Sequence, residues 1–249
     1  MLRGVYTAAS AMLAQETAQS VIANNLANAA TPGFKGDVAA FEAFRLAALT
    51  RAEGGSQSGS LGTLGAGAAT AEIALDLSDG PLQQTGNPLN VALRGSAAFF
   101  VVRTPQGDRL TRAGEFAVGP DGTLTDTGGH PVLDRSGRAI RAGQGSAEID
   151  AEGNLLVDKR VAASLQVVAL LPGVEPRKEG HRLLRVDAGG YRPVDRPRLV
   201  TGALEASNVS VVEEMVSMIA AMRSYEAAAK ALQSEDEALG RALNEVAKA

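Results

Sequence analysis

The stretch ANNLANAATPGFKGD, from Ala23 to Asp37, decides where the first helix of this chain ends and how the chain continues. Pro32 disfavours helical geometry at the residue before it, and a Pro-Gly pair suits the two central positions of a type II turn. The stretch therefore predicts a helix end followed by a tight turn centred on Pro32 and Gly33.

Three asparagines in the same stretch need a separate explanation, because asparagine is a mediocre helix former. One explanation is a frayed C-terminal turn of the helix. The other is that Asn24, Asn25 and Asn28 form hydrogen bonds with a neighbour that is missing from the isolated chain. The spacing alone leaves both explanations open.

Both ends of the chain show heptad spacing, which predicts long helices. The first seam, within residues 2–28, consists of Leu2, Val5, Ala9, Met12, Glu16, Gln19, Ala23 and Leu26. The second, within residues 208–247, consists of Val211, Met215, Met218, Met222, Tyr225, Ala229, Leu232, Asp236, Leu239, Leu243 and Val246. Ser207 or Asn208 is predicted to cap the second helix. The two seams predict that the ends of the chain meet as a coiled coil.

The middle of the chain has a different pattern, with short apolar runs separated by turn signals. The motifs PQGDRL, PDGTLT, RSGRAI and AEGNLL each predict a hairpin turn that leads into a strand. The run SAAFFVV is apolar on both faces and predicts a central buried strand. We therefore predict an α+β fold: a helical domain of residues 1–50 and 205–249, a Gly/Ser linker or extended arm at 51–70, and an all-β domain at 71–204. A second short helix is predicted at Val38–Thr50.

Composition and charge exclude several classes of function. The 249-residue chain has no cysteine and a net charge of −4, and residues 205–249, with eight acids and four bases, carry the whole acidic excess. No basic stripe exists, so we expect no nucleic-acid partner. No run of about 18 apolar residues exists, so we expect no membrane insertion. The N-terminal segment also lacks the apolar core of a cleaved signal peptide.

No pattern of catalytic or metal-binding residues is present. His130 and His181 stand beside turn residues and are interpreted as exposed loop histidines without further metal ligands nearby. Glu213 and Glu214 are adjacent, so on a helix they point about 100° apart and do not form a catalytic pair. We therefore expect no enzymatic activity, no cofactor and no metal site.

Three blocks of the sequence resemble bacterial flagellar axial proteins, the family of rod, hook and hook-associated subunits. ANNLANAATPGFK resembles their N-terminal signature. Residues 82–133, which begin LQQTGNPLNVAL, resemble the β-domain signature of rod and hook proteins, and residues 202–239, which begin GALEASNVSVVEEM, resemble their C-terminal signature. Leu110 stands where the family commonly has Tyr, and Ala97 and Ala98 precede Phe99 where it commonly has Gly. The length suits a rod subunit, proximal or distal.

The resemblance implies a structural subunit of the flagellar basal-body rod that polymerises helically and transmits torque from the motor to the hook. The terminal helices would form an inner tube and the β domain would face outward. The subunit would be exported unfolded, without a cleaved signal, through the flagellar type III apparatus, and would reside in the basal body within the cell envelope. Its partners would be further copies of itself, other rod and hook subunits, the export apparatus, and rod-cap or ring proteins.

The predicted assembly interface combines seam residues with residues around the first turn. It consists of Leu2, Val5, Ala9, Met12, Asn24, Asn25, Leu26, Asn28, Pro32, Gly33, Phe34, Asn208, Met215, Met218, Met222, Tyr225, Ala229, Leu232, Leu239, Leu243 and Val246. Two alternatives remain open: a secreted β binding module on a coiled-coil stalk, and a hook-type subunit of the same family. An enzyme of peptidoglycan remodelling is less well supported, because no suitable pair of acids is present.

Overall fold

A computed structural model of the chain describes residues 2–43, 47–53, 56–64, 68–95, 97–143, 145–187 and 189–246. These residues belong to two compact units. The first, which we call the helical unit, draws on residues 1–26, 37–74 and 211–249. The second, which we call the β unit, draws on residues 27–36 and 75–210.

The helical unit contains two long helices and two pairs of strands. The helices are α1 (Leu2–Ala27) and α2 (Val211–Val246), close to the predicted spans. Strand β1 (Asp37–Ala43) pairs with β4 (Ala68–Leu75), and β2 (Ala47–Glu53) pairs antiparallel with β3 (Ser56–Leu64). Neither helix is apolar enough along its described length to cross a membrane.

The predicted short helix at Val38–Thr50 is wrong, because β1 and β2 occupy the described part of that segment. Its alanine-rich sequence favours a helix locally. In the structure, the backbone forms its hydrogen bonds by pairing with β4 and β3 instead, because tertiary contacts override a weak local propensity. The segment 51–70 has all of its described residues in strands. Its role as an arm that reaches other subunits stays a prediction.

The β unit is organised around a six-stranded antiparallel sheet in the order β15-β16-β8-β7-β14-β17. Its strands, in that order, are Arg177–Glu179, Leu183–Arg185, Gly107–Thr111, Ala98–Thr104, Val167–Leu170 and Tyr191–Pro193. The predicted central strand is confirmed, because β7 lies between β8 and β14 and its residues Phe99, Phe100, Val101 and Val102 are all buried.

Shorter strands complete the β unit. Two pairs join distant segments: β5 (Leu82–Gln84) with β19 (Ala203–Glu205), and β6 (Val91–Leu93) with β18 (Leu199–Thr201). The others are local: β9 (Phe116–Val118) pairs with β10 (Leu124–Asp126), and β11 (Ala147–Ile149), β12 (Asn154–Val157) and β13 (Arg160–Ser164) form a meander. The prediction of a β region built from short hairpins is therefore confirmed.

The four glycine-containing motifs form turns, as predicted. Three of them connect β7 to β8, β9 to β10, and β11 to β12. The fourth, RSGRAI, reverses the chain between Leu133 and Ala139, which form an isolated antiparallel β-bridge. The glycine of each motif has a positive φ, between 76° and 112°, a conformation that glycine adopts without strain.

Two hydrophobic cores cover the two faces of strand β7. Phe100 and Val102 belong to the larger core, in which the Phe100 and Phe116 rings meet edge to face with centroids 5.2 Å apart. Phe99 and Val101 belong to the smaller core, which also contains Leu110. The alternation follows from the two-residue period of a strand.

Candidate functional site

The turn after α1 has the predicted type II geometry. The Phe34 amide donates to the Thr31 carbonyl at 3.2 Å, and Gly33 has a φ of +71°. A Cβ atom on Gly33 would lie 2.4 Å from the backbone nitrogen of Ala113. Both the backbone conformation and the close approach therefore require glycine.

The turn delivers Lys35 to a buried carboxylate. Lys35 Nζ lies 2.7 Å from Glu205 Oε1, and the two side chains are only 2% and 1% exposed. The backbone is joined at the same place, since the Gly33 amide donates to the Glu205 carbonyl at 2.7 Å. Lys35 also donates to the Ser78 carbonyl. The segment after α1 is thus fixed to the segment that precedes α2.

Arg112 completes this cluster from the end of strand β8. Its Nε donates to Glu205 Oε2 at 2.5 Å, and its Nη2 donates to Asp79 Oδ1 at 3.0 Å. Further donors reach the carbonyl oxygens of Gly95, at 2.8 Å, and Ala98. We call Lys35, Asp79, Arg112 and Glu205 the buried ion cluster; three of its members are buried, and the Asp79 side chain, at its edge, is 48% exposed.

The buried ion cluster is balanced in both charge and hydrogen bonding. Two cations face two carboxylates, and the Glu205 carboxylate accepts a third hydrogen bond, from the Gly80 amide to Oε1, at 2.9 Å. Buried charges cost several kcal/mol each unless they are paired and hydrogen-bonded, so removal of one member leaves an uncompensated charge. The cluster therefore holds four distant chain segments together.

Asn208 reinforces the same junction. Its Oδ1 accepts from the Gly36 amide at 2.8 Å, and its Nδ2 donates to the Asp76 carbonyl and to Ser78 Oγ, both at 3.0 Å. The prediction that Ser207 or Asn208 caps the second helix is wrong, because α2 begins only at Val211. The Asn208 amide is occupied by long-range backbone partners instead.

Asn25 performs an analogous role within the helical unit. Its Oδ1 accepts from the Asp37 amide at 2.9 Å, and its Nδ2 donates to the Asp37 carbonyl at 2.8 Å and to Glu214 Oε1 at 2.9 Å. An asparagine amide has two N–H donors, and both are used here. Asn25 therefore finds partners within the chain, so a missing neighbour is not needed to explain this residue.

The buried face of α1 is offset by two residues from the predicted seam. Ala14, Ala18, Val21 and Asn25 are buried, whereas the prediction placed Met12, Glu16, Gln19 and Ala23 there. The observed register leaves Glu16 exposed, which avoids the cost of burying a carboxylate without a partner.

Helix α2 carries a row of exposed apolar side chains along its first half, which we call the α2 stripe. It consists of Val211, Val212, Met215, Val216, Ile219 and Met222, each 46–71% exposed. The heptad seam predicted for this helix included three of these residues, but it did not include Val212, Val216 and Ile219. Their spacing of three and four residues was the signal for a wider apolar face.

The predicted interface residues fall into four groups by exposure. Asn25, Asn28, Gly33 and Phe34 are buried within the chain, and Asn24, Met215, Met222 and Tyr225 are exposed. Half-buried are Val5, Ala9, Met12, Leu26, Pro32, Asn208, Met218, Ala229, Leu232 and Leu239. The side chains of Leu2, Leu243 and Val246 lie outside the described residues. Contacts of all these residues with other subunits stay a prediction.

Comparison with known proteins connects these features to one family. The family described as "Flagella basal body rod protein" matches residues 5–35, and the one described as "Flagellar basal body rod FlgEFG protein C-terminal" matches residues 200–245. The chain is 32% identical to the flagellar basal-body rod protein FlgF of Salmonella typhimurium over 97% of both chains. The chain belongs to the flagellar basal-body rod protein family.

Other relatives carry different names within the same system. The rod protein FlgG of Borreliella burgdorferi is 32% identical over 98% of both chains, and the hook-basal body complex protein FlhO of Bacillus subtilis is 28% identical over the full length of both. Each of the two matched regions contains a member of the buried ion cluster. The N-terminal region ends at Lys35, and the C-terminal region includes Glu205 near its start.

The rod family consists of structural proteins, and the two histidines of this chain lie in its β unit. His130 is not an exposed loop residue as predicted: it is half-buried, with Nδ1 3.1 Å from Asp126 Oδ2. His181 is exposed, as predicted. Among the described residues, no three His, Cys, Asp or Glu side chains are grouped to hold a metal ion.

Proposed function

We propose that this chain is a structural subunit of the flagellar basal-body rod, which polymerises helically and transmits torque from the motor to the hook. Membership of the rod protein family supports the assignment. The observation that best supports polymerisation is the α2 stripe. It is a continuous apolar surface on a helix whose other exposed residues are mostly polar.

The α2 stripe is larger than a single exposed apolar side chain would explain. Scattered exposed apolar residues are normal, but contiguous apolar patches mark interaction surfaces. Val212 is 71% exposed and Ile219 is 55% exposed, on the same face within two helical turns. Burial of such area contributes about 25 cal/mol per Å², and a polymer repeats that gain in every subunit.

Pairing of the terminal helices as an antiparallel coiled coil is part of the proposal. Asn25, near the end of α1, bonds to Glu214 near the start of α2 at 2.9 Å. Gly4, near the start of α1, lies so close to Glu235 near the end of α2 that a Cβ would be 2.6 Å from its carboxylate oxygen. The two contacts support an antiparallel arrangement of the helices.

The remaining elements of the proposal concern location and partners. We place the subunit in the flagellar basal body, with the terminal helices towards the inner tube and the β unit outward. Other rod and hook subunits would contact its ends, and rod-cap or ring proteins would surround it during assembly. Export of the unfolded chain through the flagellar type III apparatus is part of the same proposal.

The test is assembly of the purified full-length chain over a range of concentrations, by light scattering and negative-stain electron microscopy. We expect tubes or short rods above a critical concentration. Ile219→Asp places a carboxylate in the α2 stripe and should abolish them, whereas Gln233→Asp, at an exposed polar position of the same helix, should not. An oligomer of fixed size that is unaffected by Ile219→Asp would favour the stalked binding module instead.

A further inference from the structure

The sulfur of this chain belongs entirely to methionine, because the sequence has no cysteine. Tryptophan, another readily oxidised side chain, is also absent. Of the five methionines, three stand close together on α2: Met215, Met218 and Met222. A two-electron oxidant that meets the folded chain therefore finds its most reactive targets concentrated on one short stretch of helix.

Two of these methionines are open to solvent in the free subunit. Met215 is 54% exposed and Met222 is 51% exposed, and both belong to the α2 stripe. They are two helical turns apart, so their thioethers lie on one face of α2, separated by about 10 Å along its axis. Met218, between them, is half-buried. Within residues 211–222, only Ala221 is buried, so this part of α2 is covered little by the rest of the described chain.

The surroundings of Met222 leave room for a small reagent beside its sulfur. Met222 lines a shallow groove on α2 together with Ile219, Arg223 and Glu226. The groove has a volume of about 360 Å³, whereas a water molecule in the liquid takes up about 30 Å³. Hydrogen peroxide, a molecule of two oxygen atoms, therefore reaches the groove without any rearrangement of the helix.

We propose that Met215 and Met222 form a modification site, at which oxidation by peroxide converts the free subunit into a form that does not assemble. Each thioether sulfur takes one oxygen atom from hydrogen peroxide and becomes a sulfoxide, and the remaining atoms of the peroxide leave as water. The sulfur is thereby oxidised by two electrons and the peroxide is reduced by two. The flexible apolar side chain becomes a polar one, and methionine sulfoxide reductases reverse the change.

The effect on assembly rests on the proposed polymerisation through the α2 stripe. Methionine suits such a surface, because its unbranched side chain adapts to neighbours of different shape. A sulfoxide oxygen that becomes buried needs a hydrogen-bond donor, which an apolar stripe does not supply, so its burial opposes association. Association also covers the unmodified thioethers. The free subunit is therefore sensitive to peroxide at this site, and the polymer is protected.

Mass spectrometry of the full-length chain after brief exposure to hydrogen peroxide tests the site itself. In the dilute free chain, we expect sulfoxide to form several times faster at Met215 and Met222 than at the half-buried Met12 and Met218. Equal rates at all four methionines would overturn the assignment of a site. In assembled chain, the rates at Met215 and Met222 should fall about fivefold or more. Unchanged rates there would overturn the protection by assembly.

Light scattering tests the consequence for assembly. Peroxide treatment of the free chain should raise the critical concentration about tenfold, and a methionine sulfoxide reductase should restore it. The double variant Met215→Leu and Met222→Leu keeps an apolar side chain of similar volume, so it should assemble equally well before and after peroxide. Met12→Leu is the matched control and should stay sensitive.

The outcomes separate the two proposals. Normal assembly of chain that carries sulfoxide at Met215 and Met222 overturns this inference and leaves the proposed function intact. A chain that does not assemble even before peroxide treatment overturns the proposed function, and the effect of oxidation on assembly with it.

Discussion

Lys35 and Glu205 are 170 residues apart in the sequence, yet their side chains form a buried ion pair with a 2.7 Å separation. The same carboxylate also binds Arg112, so one acid bridges two buried cations. The segment that follows the first helix is thereby tied to the segment that precedes the second. This pair, more than any other, joins the two distant stretches of chain that close the β unit.

Replacement of Glu205 should therefore have a large effect on stability. Glu205→Gln keeps the shape but leaves Lys35 and Arg112 with one negative charge fewer, and loss of one partner from a buried ion pair costs about 3–5 kcal/mol. Urea unfolding of the full-length chain, followed by circular dichroism, measures the loss. Glu175→Gln, at an exposed position, is the control, and equal midpoints for both variants would contradict the role of the cluster.

Gly33 should be far less tolerant of alanine than a glycine of the same backbone conformation. Gly86 has a φ of +72°, and no atom lies within 4 Å of the position that an added Cβ would take. The Gly86→Ala variant therefore loses only the free energy of holding alanine in this backbone conformation, about 1 kcal/mol. Gly33→Ala adds a clash with Ala113. We expect a clearly larger drop in melting temperature for Gly33→Ala, and similar drops in the two variants would show that the turn relaxes away from Ala113.

Asn25 should slow hydrogen exchange at the backbone amide of Asp37. Asn25→Ala removes the acceptor for the Asp37 amide and the donor for its carbonyl, and one such hydrogen bond contributes about 1 kcal/mol or more. Amide hydrogen exchange at Asp37 should accelerate about tenfold. Gln233→Ala changes an exposed amide side chain on α2 and should leave that exchange rate within a factor of about two.

The Arg109–Glu179 pair should contribute to acid sensitivity. The hydrogen bond from Arg109 lowers the pKa of Glu179 in the folded chain, so its stabilising effect is present above the ordinary glutamate value and is lost as the pH falls through the lowered one. Glu179→Gln should therefore reduce stability at pH 7 more than at about pH 3. Thermal melts at both pH values test this, and a Glu179→Gln penalty that does not shrink on acidification would contradict it.

Local sequence signals predicted much of the fold because their causes are local. The Pro32-Gly33 pair specifies its turn through backbone sterics, and the glycine motifs specify hairpins in the same way. The apolar run around Phe99 and Phe100 predicted the central strand, because only a strand buried on both faces tolerates such a run. The long heptad seams likewise predicted both helices to within a few residues.

The errors arose where distant partners decide the outcome. Val38–Thr50 favours a helix by composition, but strands elsewhere in the chain satisfy its backbone. Asn208 suits a helix cap by residue type, but Gly36 and Asp76 take its amide. The buried ion cluster was missed for the same reason: Lys35 and Glu205 stand among small residues with no local sign that they pair. The sequence shows only that each charged residue stands in a segment of otherwise apolar or small residues, and this does not identify its partner.

The path of the chain through the buried ion cluster has a consequence for folding in time. Any process that delivers the chain from its N-terminus, whether a ribosome or a narrow channel, releases Lys35 and Arg112 long before Glu205. Until residue 205 emerges, two cations that belong in the interior lack the carboxylate that neutralises them, and strand β5 lacks β19. The contacts that close the β unit therefore form only after residue 205 has been delivered, although every strand of its six-stranded sheet has emerged by then.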